Sequence, residues 1–202
     1  MKKFFWLLLL ITFGCGKQEH KTNVKQAALD QPNLAYFTDG EIATYQNKNF
    51  SFLAQFSSDF KPLENPVPVH SDGTEFSDGK AQLSVWGSLG FMADEEKLFD
   101  NLHPSLLEFV GTDLASFKKA SDLKKLYLSD LLLGADHERI TYKLLKDNYY
   151  VISGYDDKGN IFYQKTVKLL NHFANFRMVY PSEKQKKYES TINQIEMAIS
   201  YF

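Results

Sequence analysis

Two short runs of polar residues combine side chains that can take part in catalysis or bind metals. Residues 70–72 (HSD) supply an imidazole, a hydroxyl and a carboxylate. Side chains adjacent in sequence cannot converge on one another as those of a catalytic triad do. Residues 136–138 (DHE) offer metal ligands, but a metal site needs three or four ligands brought together, and no other histidine has a matching spacing. Both runs are typical of polar turns.

Two further segments resemble functional loops only in part. Residues 156–160 (DDKGN) are rich in side-chain oxygens, yet they lack the twelve-residue loop ending in glutamate of an EF-hand. Ser153-Gly154 follows a predicted strand without the Gly-x-Ser-x-Gly pattern of hydrolases. Glycine loops of the Walker or dinucleotide type are also missing. The sequence therefore predicts no catalytic residue, no metal site and no cofactor.

The single cysteine, Cys15, stands where a hydrophobic leader ends. Lys2 and Lys3 precede an uncharged apolar run over residues 4–13. A helix needs about 20 residues to span a bilayer core of ~30 Å, so this run is too short for that. It fits the hydrophobic region of a signal peptide instead.

The pair Gly14-Cys15 resembles the bacterial lipobox. This resemblance implies cleavage between Gly14 and Cys15 and attachment of a diacylglyceryl group to the Cys15 thiol. The acyl chains would anchor the protein in a membrane. Several acyl chains anchor a protein stably, whereas a single myristoyl chain does not. Because Gly16 and not aspartate follows the cysteine, the resemblance further implies, for a cell with two membranes, the periplasmic face of the outer membrane. The alternatives are an ordinary signal peptide with an incidental cysteine, or an uncleaved anchor.

The composition and net charge of the chain are those of an ordinary globular protein. Hydrophobic residues make up 44% and charged residues 24% of the 202 residues, and the formal net charge is −2. Without a basic cluster we expect no nucleic-acid partner. We predict a signal peptide over residues 1–14, a lipidated N-terminus and flexible tether over 15–44, and one domain over 45–202. The alternative is that residues 34–49 already begin the domain, with Tyr36, Phe37 and Tyr45 as possible docking points.

Hydrophobic periodicity predicts the elements of this domain. Period-two alternation and short polar turns predict strands, the last four of them in an antiparallel meander, and Asp78-Gly79 is typical of a tight hairpin turn. Spacings of three and four predict helices over 94–133, divided at Pro104 and interrupted at Gly111, after which Thr112 or Asp113 can cap the next helix. A last helix is predicted from Ser182, with an apolar stripe and an opposite polar side. The stripe consists of Tyr188, Ile192, Ile195, Ile199 and Phe202, and the polar side of Lys184, Lys186, Lys187 and Glu189. The predicted strands cover residues 50–56, 74–77, 80–86, 138–145, 149–155, 161–170 and 173–180. The fold class is therefore α+β, with one mainly antiparallel sheet and helices packed against it.

The order of these elements resembles PsbP-like domains, which include DcrB-type bacterial envelope lipoproteins. The segments that carry the resemblance are NFSFLAQFSSDFKP, SDGKAQLSVWG, ITYKLLKDNYYVISGYDDKGNIFYQKTV and FRMVYPSEKQKKYESTINQIEMAISYF. It covers roughly residues 45 to 202. It implies an α/β/α sandwich that is usually non-enzymatic and binds partners. It transfers no catalytic residue to this chain.

Aromatic and arginine side chains on the strands are candidates for an interaction surface, because these types dominate binding hot spots. The five candidates are Trp86, Tyr142, Tyr150, Tyr163 and Arg177. The other interpretation of these residues is that they pack under the helices. We expect a non-enzymatic, lipid-anchored envelope protein that binds another envelope protein or assists an assembly. The alternatives are a carrier of a small ligand or lipid, with a cavity between sheet and helices, and more remotely a hydrolase.

Overall fold

The computed structural model of the chain describes residues 25–27, 33–63, 72–100, 102–134 and 139–199. It contains two antiparallel sheets and five α-helices in this part of the chain. The predicted α+β class is therefore confirmed. The prediction of a single sheet is wrong, because a second sheet covers part of the face on which we expected only a helix.

The larger sheet has seven strands in the order β5-β6-β7-β11-β10-β9-β8. Its last four strands form the predicted meander, since their short turns permit only antiparallel neighbours. The strands are β5 (Lys61–Pro62), β6 (Gly73–Ser77), β7 (Gln82–Ser88), β8 (Arg139–Leu145), β9 (Tyr149–Tyr155), β10 (Ile161–Leu169) and β11 (His172–Tyr180).

The smaller sheet has five strands in the order β1-β2-β3-β4-β12. Its strands are β1 (Lys25–Ala27), β2 (Leu34–Asp39), β3 (Ile42–Asn47), β4 (Phe52–Ser57) and β12 (Glu196–Ile199). The first three strands overlap the range 15–44 that we predicted as a tether. That prediction is wrong for residues 34–44, because buried Tyr36 and Ala43 contribute to the core there.

Residues of the second and fourth helices pack on the other face of the seven-stranded sheet, the first and third helices contact each other through Phe99 and Phe117, and the fifth packs on the core between the sheets. Pro104 begins a new helix, Asp113 caps the next by accepting from the backbone N of Ser116, and Gly111 ends its helix at φ 70°. These three predictions are confirmed. The helices are α1 (Glu95–Asp100), α2 (Pro104–Val110), α3 (Leu114–Lys118), α4 (Asp122–Gly134) and α5 (Gln185–Asn193).

The final helix is shorter than predicted. It follows a 3₁₀ turn over Ser182–Lys184 and ends at Asn193, after which the chain pairs antiparallel with β4 as β12. Tyr188 and Ile192 pack in the core as the stripe predicts. Ile199 instead pairs with Phe52 in the sheet. The open edge of β4 offers backbone groups that need partners, and this pairing outweighs the helical periodicity of the sequence. The predicted stripe residue Phe202 lies outside the described residues.

Aromatic side chains fill the space between the two sheets. Phe76 on the larger sheet lies 5.5 Å from Tyr36, 5.7 Å from Tyr45 and 4.8 Å from Phe56 between ring centroids, and these three rings come from the smaller sheet. All four side chains are nearly inaccessible to solvent. The dense packing joins the two sheets into one hydrophobic core.

The predicted hairpin turn at Asp78-Gly79 is confirmed, with Gly79 at φ 86°. Asp78 also joins this turn to α5. Its carboxylate accepts hydrogen bonds from the backbone N of Ala81 at 2.8 Å, from Lys187 Nζ at 2.9 Å and from Tyr188 Oη at 2.8 Å. Burial alone would raise the pKa of Asp78, but the hydrogen bonds from Ala81, Lys187 and Tyr188 outweigh it and hold this pKa well below its usual range.

We expect Asp78→Asn to lower the free energy of unfolding at pH 7 by roughly 1.5–3 kcal/mol, the range for hydrogen bonds to a charged group. Because the folded-state pKa lies below the unfolded one, the carboxylate stabilises the fold above the ordinary aspartate pKa and loses that effect as the pH falls through the acidic range. Urea unfolding at pH 7 and at pH 3.5 measures how far the free energy of unfolding falls between these two pH values. This decrease should be smaller in Asp78→Asn than in the wild type and unchanged in the exposed control Asp147→Asn. An unchanged pH dependence in Asp78→Asn would contradict this assignment.

Candidate functional site

An open groove lies between α5 and the strands β8 to β11, and we call it the tyrosine groove. Its volume is about 440 Å³. Four tyrosines line the strand side: Tyr142, Tyr155, Tyr163 and Tyr180. Four residues of α5 line the opposite side: Gln185, Glu189, Ile192 and Asn193. Aromatic rings mixed with hydroxyl, amide and carboxylate groups form a surface suited to recognition.

A β-bulge in β8 places two consecutive residues in this groove. Ile140 pairs with Gly154 and Tyr142 pairs with Ser153, so Thr141 is an extra residue without a partner. Neighbouring residues of a regular strand point to opposite faces. The bulge instead lets Thr141 and Tyr142 both line the groove. It also overturns the regular alternation predicted for the strand over residues 138–145, which would place Ile140 and Tyr142 on the same face. Ile140 instead packs under the helices, while Tyr142 lies on the other face.

Gly154 allows β8 and β9 to approach closely at the bulge. A Cβ atom at this position would lie 2.0 Å from the backbone O of Arg139 and 2.9 Å from the Cα of Ile140. Real Cβ contacts do not come this close, so the position requires a residue without a side chain. The glycine and the bulge together form one wall of the groove.

Packing holds the groove tyrosines in place. The Tyr163 ring stacks on Phe176 at 5.8 Å with 22° between the ring planes, and the Tyr180 ring lies 5.1 Å from that of Tyr188. Burial raises the pKa of Tyr163, and burial together with the charge of Glu189 raises the pKa of Tyr180 to about 12. Both hydroxyls are therefore protonated at neutral pH and can donate hydrogen bonds. Tyr142 is 50% exposed and forms the accessible rim.

The helix side contributes one carboxylate, that of Glu189. Gln185 Nε2 donates to Glu189 Oε1 at 2.7 Å, which is the i to i+4 spacing of neighbours on one helix face. Ile192 packs into the core on the same face of α5. The carboxylate is exposed and points an acceptor toward the groove beside the tyrosines.

The structure separates the five predicted surface residues. Tyr142 and Tyr163 line the groove. Trp86 is 7% exposed and Tyr150 is 1% exposed, so neither belongs to an exposed patch. The Arg177 guanidinium lies over the Phe162 ring at 4.4 Å in the layer under the helices. Tyr142 and Tyr163 therefore lie on one face of the sheet and Tyr150 and Arg177 under the helices on the other, so the five residues do not form one surface.

A polar network that sequence reasoning missed lies under α4. Asp130 of this helix accepts hydrogen bonds from Tyr150 Oη and Gln164 Nε2. Arg177 donates to Gln164 Oε1 at 3.1 Å. Burial and the nearby Asp130 charge raise the pKa of Tyr150 well above its usual value, so its hydroxyl stays protonated. The network anchors α4 to the sheet, and its location away from the groove indicates a structural role.

The polar runs considered for chemistry behave as turns where the structure describes them. Asp72 Oδ1 accepts from Asn49 Nδ2 at 2.7 Å, while His70, Ser71 and residues 136–138 lie outside the described residues. Asp156 Oδ1 accepts from the backbone N of Lys158 and of Asn160, as in a hairpin turn. In the described part of the chain no three histidine, cysteine, aspartate or glutamate side chains come together to hold a metal ion.

The predicted lipid-attachment residue Cys15 and the predicted cleavage position Gly14 lie outside the described residues. Over the ranges that are described, the helices are too short or too polar to cross a bilayer.

Comparison with known proteins gives a similarity to solved structures. No family model matches the chain, and no curated protein matches it. The fold is similar to the solution structure of cyanobacterial PsbP (CyanoP) from Synechocystis sp. PCC 6803, with 10% sequence identity and a TM-score of 0.47. The match covers 80% of this chain and 95% of that one.

Proposed function

We propose that this chain is a lipid-anchored protein of a bacterial envelope whose domain binds a partner protein through the tyrosine groove. The observation that carries the proposal is the groove itself, where a bulge and a helix present four tyrosines beside polar side chains. Tyrosine is enriched at binding hot spots because its rigid, amphipathic ring buries a large area at low entropic cost. The proposed role is non-enzymatic.

The predicted anchor on Cys15 makes even weak partner binding effective. Attachment to a membrane raises the local concentration of the domain near other envelope proteins. The sequence from Met1 to Gly14 supports this address through its basic start, short apolar run and lipobox-like end.

The shape of the site favours a partner protein over a carried lipid. A lipid carrier needs an apolar cavity that encloses its ligand. The groove is open to solvent, and hydroxyl, amide and carboxylate groups line it together with the aromatic rings. The space between the sheets is filled by the aromatic core.

Cys15→Ser should abolish acylation and release the protein from membranes or leave its leader uncleaved. Metabolic labelling with an alkyne fatty acid, followed by membrane fractionation, measures both effects. The control is the double variant Cys15→Ser, Lys119→Cys, which has a surface cysteine at a different position. It should remain unlabelled if acylation requires a cysteine at position 15. Equal labelling of wild type and Cys15→Ser would refute the anchor.

Tyr142→Ala tests the groove. Its half-exposed ring contributes little to folding, so we expect a stability change within about 0.5 kcal/mol. A hot-spot side chain of this type lowers partner affinity by tenfold or more when it is truncated. The measurement is the amount of each envelope protein that copurifies with the detergent-solubilised wild type and variant. Leu133→Ala, 60% exposed on α4, is the matched control, and equal losses in both variants would contradict the proposal.

A further inference from the structure

The electrostatics of the tyrosine groove indicate the chemical class of what it binds. Among the described residues that line it, Glu189 alone is charged, and its side chain is exposed. The remaining polar groups are hydroxyls and amides. An exposed carboxylate beside neutral donors makes the groove complementary to a cation.

The tyrosine rings strengthen this complementarity. The face of an aromatic ring attracts a cation through its quadrupole, and several rings with one carboxylate form the kind of cage that holds ammonium groups. Two tyrosines of the same strands already hold cations in this way. Arg139 lies over the Tyr155 ring at 4.5 Å, and Lys165 lies over the Tyr149 ring at 5.3 Å. Arg139 is not among the residues that line the groove, and Tyr180 is only 3% exposed, so Tyr142 and Tyr163 are the rings that a cation in the groove can reach.

The cage is assembled before any ligand arrives. Tyr163 is stacked on Phe176 and Tyr180 packs on Tyr188, so these rings need no rearrangement. Gln185 orients the Glu189 carboxylate by its hydrogen bond. Preorganisation of this kind lowers the entropic cost of binding.

We propose that the groove binds the arginine or lysine side chain of an extended segment of the partner, with the cation between Glu189 and the rings of Tyr142 and Tyr163. This proposal rests on the proposed partner-binding function and specifies what the groove recognises. The open shape suits a side chain presented on a continuing peptide better than a ligand that must be enclosed. The half-exposed Tyr142 borders the path of that peptide.

The test is an NMR titration of the full-length lipidated protein in detergent micelles, observing the amide resonances of Ser153, Gly154 and Glu189. The probes are Nα-acetylarginine amide, the neutral isostere Nα-acetylcitrulline amide and tetramethylammonium chloride. We expect saturable shifts with the arginine derivative and at least fivefold weaker binding of the citrulline derivative. Glu189→Gln should weaken arginine binding by about fivefold, in line with the size of exposed charge interactions. Glu183→Gln, an exposed change just before α5 and outside the groove, should not.

The inference would be overturned by equal affinity for the arginine and citrulline derivatives, by unchanged binding in Glu189→Gln, or by the absence of a saturable shift with arginine. Tetramethylammonium binding tenfold more tightly than arginine would also overturn it, in favour of a quaternary ammonium ligand. If the arginine derivative shows no specific binding while Tyr142→Ala still loses the partner protein, only the assignment of a cationic side chain to the groove is wrong. If arginine binds but no partner depends on Tyr142, the proposed function is wrong instead.

Discussion

Gly154→Ala should lower the free energy of unfolding by about 3 kcal/mol, at the upper end of the cost of overpacking. The new Cβ would lie 2.0 Å from the backbone O of Arg139 and 2.8 Å from its backbone C. These are backbone atoms, so relief of the clash requires β8 to move away from β9. Because β8 carries Thr141 and Tyr142, we also expect the groove to lose its wall. Urea denaturation measures the stability, and partner recovery measures the groove.

Gly159→Ala is the matched control for this substitution. Gly159 has a positive φ of 79°, and a Cβ there would meet nothing within 4 Å. Only the left-handed backbone conformation then opposes alanine, at roughly 1–2 kcal/mol. If Gly154→Ala cost no more than Gly159→Ala, the close approach of the strands at the bulge would be contradicted.

Tyr36→Ala should lower the free energy of unfolding by roughly 3–5 kcal/mol, the usual range for truncating a large buried side chain. Tyr36 is 3% exposed, its hydroxyl donates to the backbone O of Phe60 at 2.8 Å, and its ring contacts those of Phe56 and Phe76. A residue of a flexible tether would show almost no effect. This substitution therefore distinguishes the observed five-stranded sheet from the tether that the sequence predicts for residues 15–44.

Two comparison variants make the Tyr36 result quantitative. Tyr36→Phe removes the hydrogen bond to Phe60 and keeps the ring, so its cost should be about 1 kcal/mol. Glu41→Ala changes an exposed turn residue between β2 and β3 and should change stability by no more than about 0.5 kcal/mol. A result for Tyr36→Ala as small as that for Glu41→Ala would contradict the packing of β2.

Elements determined by local sequence were predictable. The strands β8 to β11 follow from period-two alternation between short turns, and the breaks at Pro104 and Gly111 follow from backbone preferences alone. Asp113 and Asp78-Gly79 identified a helix cap and a turn for the same reason. In each case the residues that fix the conformation lie within a few positions of one another.

Elements that depend on distant partners were not predictable. The strand at Glu196–Ile199 continues a helical stripe in sequence, and only the edge of β4 selects the extended form. Strand β3 pairs with β4 and β2 pairs with β3, and Tyr36 and Tyr45 of these strands become buried by packing on the larger sheet, which the local sequence does not specify. Local pattern carries no information about such pairing.

The groove shows the same limit. Tyr142 and Tyr163 were identified by residue type, but their side of the sheet depends on the bulge at Thr141. Without the bulge, Tyr142 would follow Ile140 onto the face under the helices. Glu189 was assigned to the polar side of the last helix, and only the packing of α5 places it beside the tyrosines. A glycine opposite an alternating strand, here Gly154, is the sequence signal that indicates such a bulge.

Photocrosslinking in intact cells tests the central claim, that the tyrosine groove contacts a partner protein, most directly. The photoreactive amino acid benzoylphenylalanine replaces Tyr142 in the groove. In the control protein it replaces the exposed Lys119, which follows α3 and lies outside the groove. We predict a light-dependent adduct of one defined mass from position 142 and none of that mass from position 119. The same adduct from both positions, or an adduct from position 119 alone, would contradict the account.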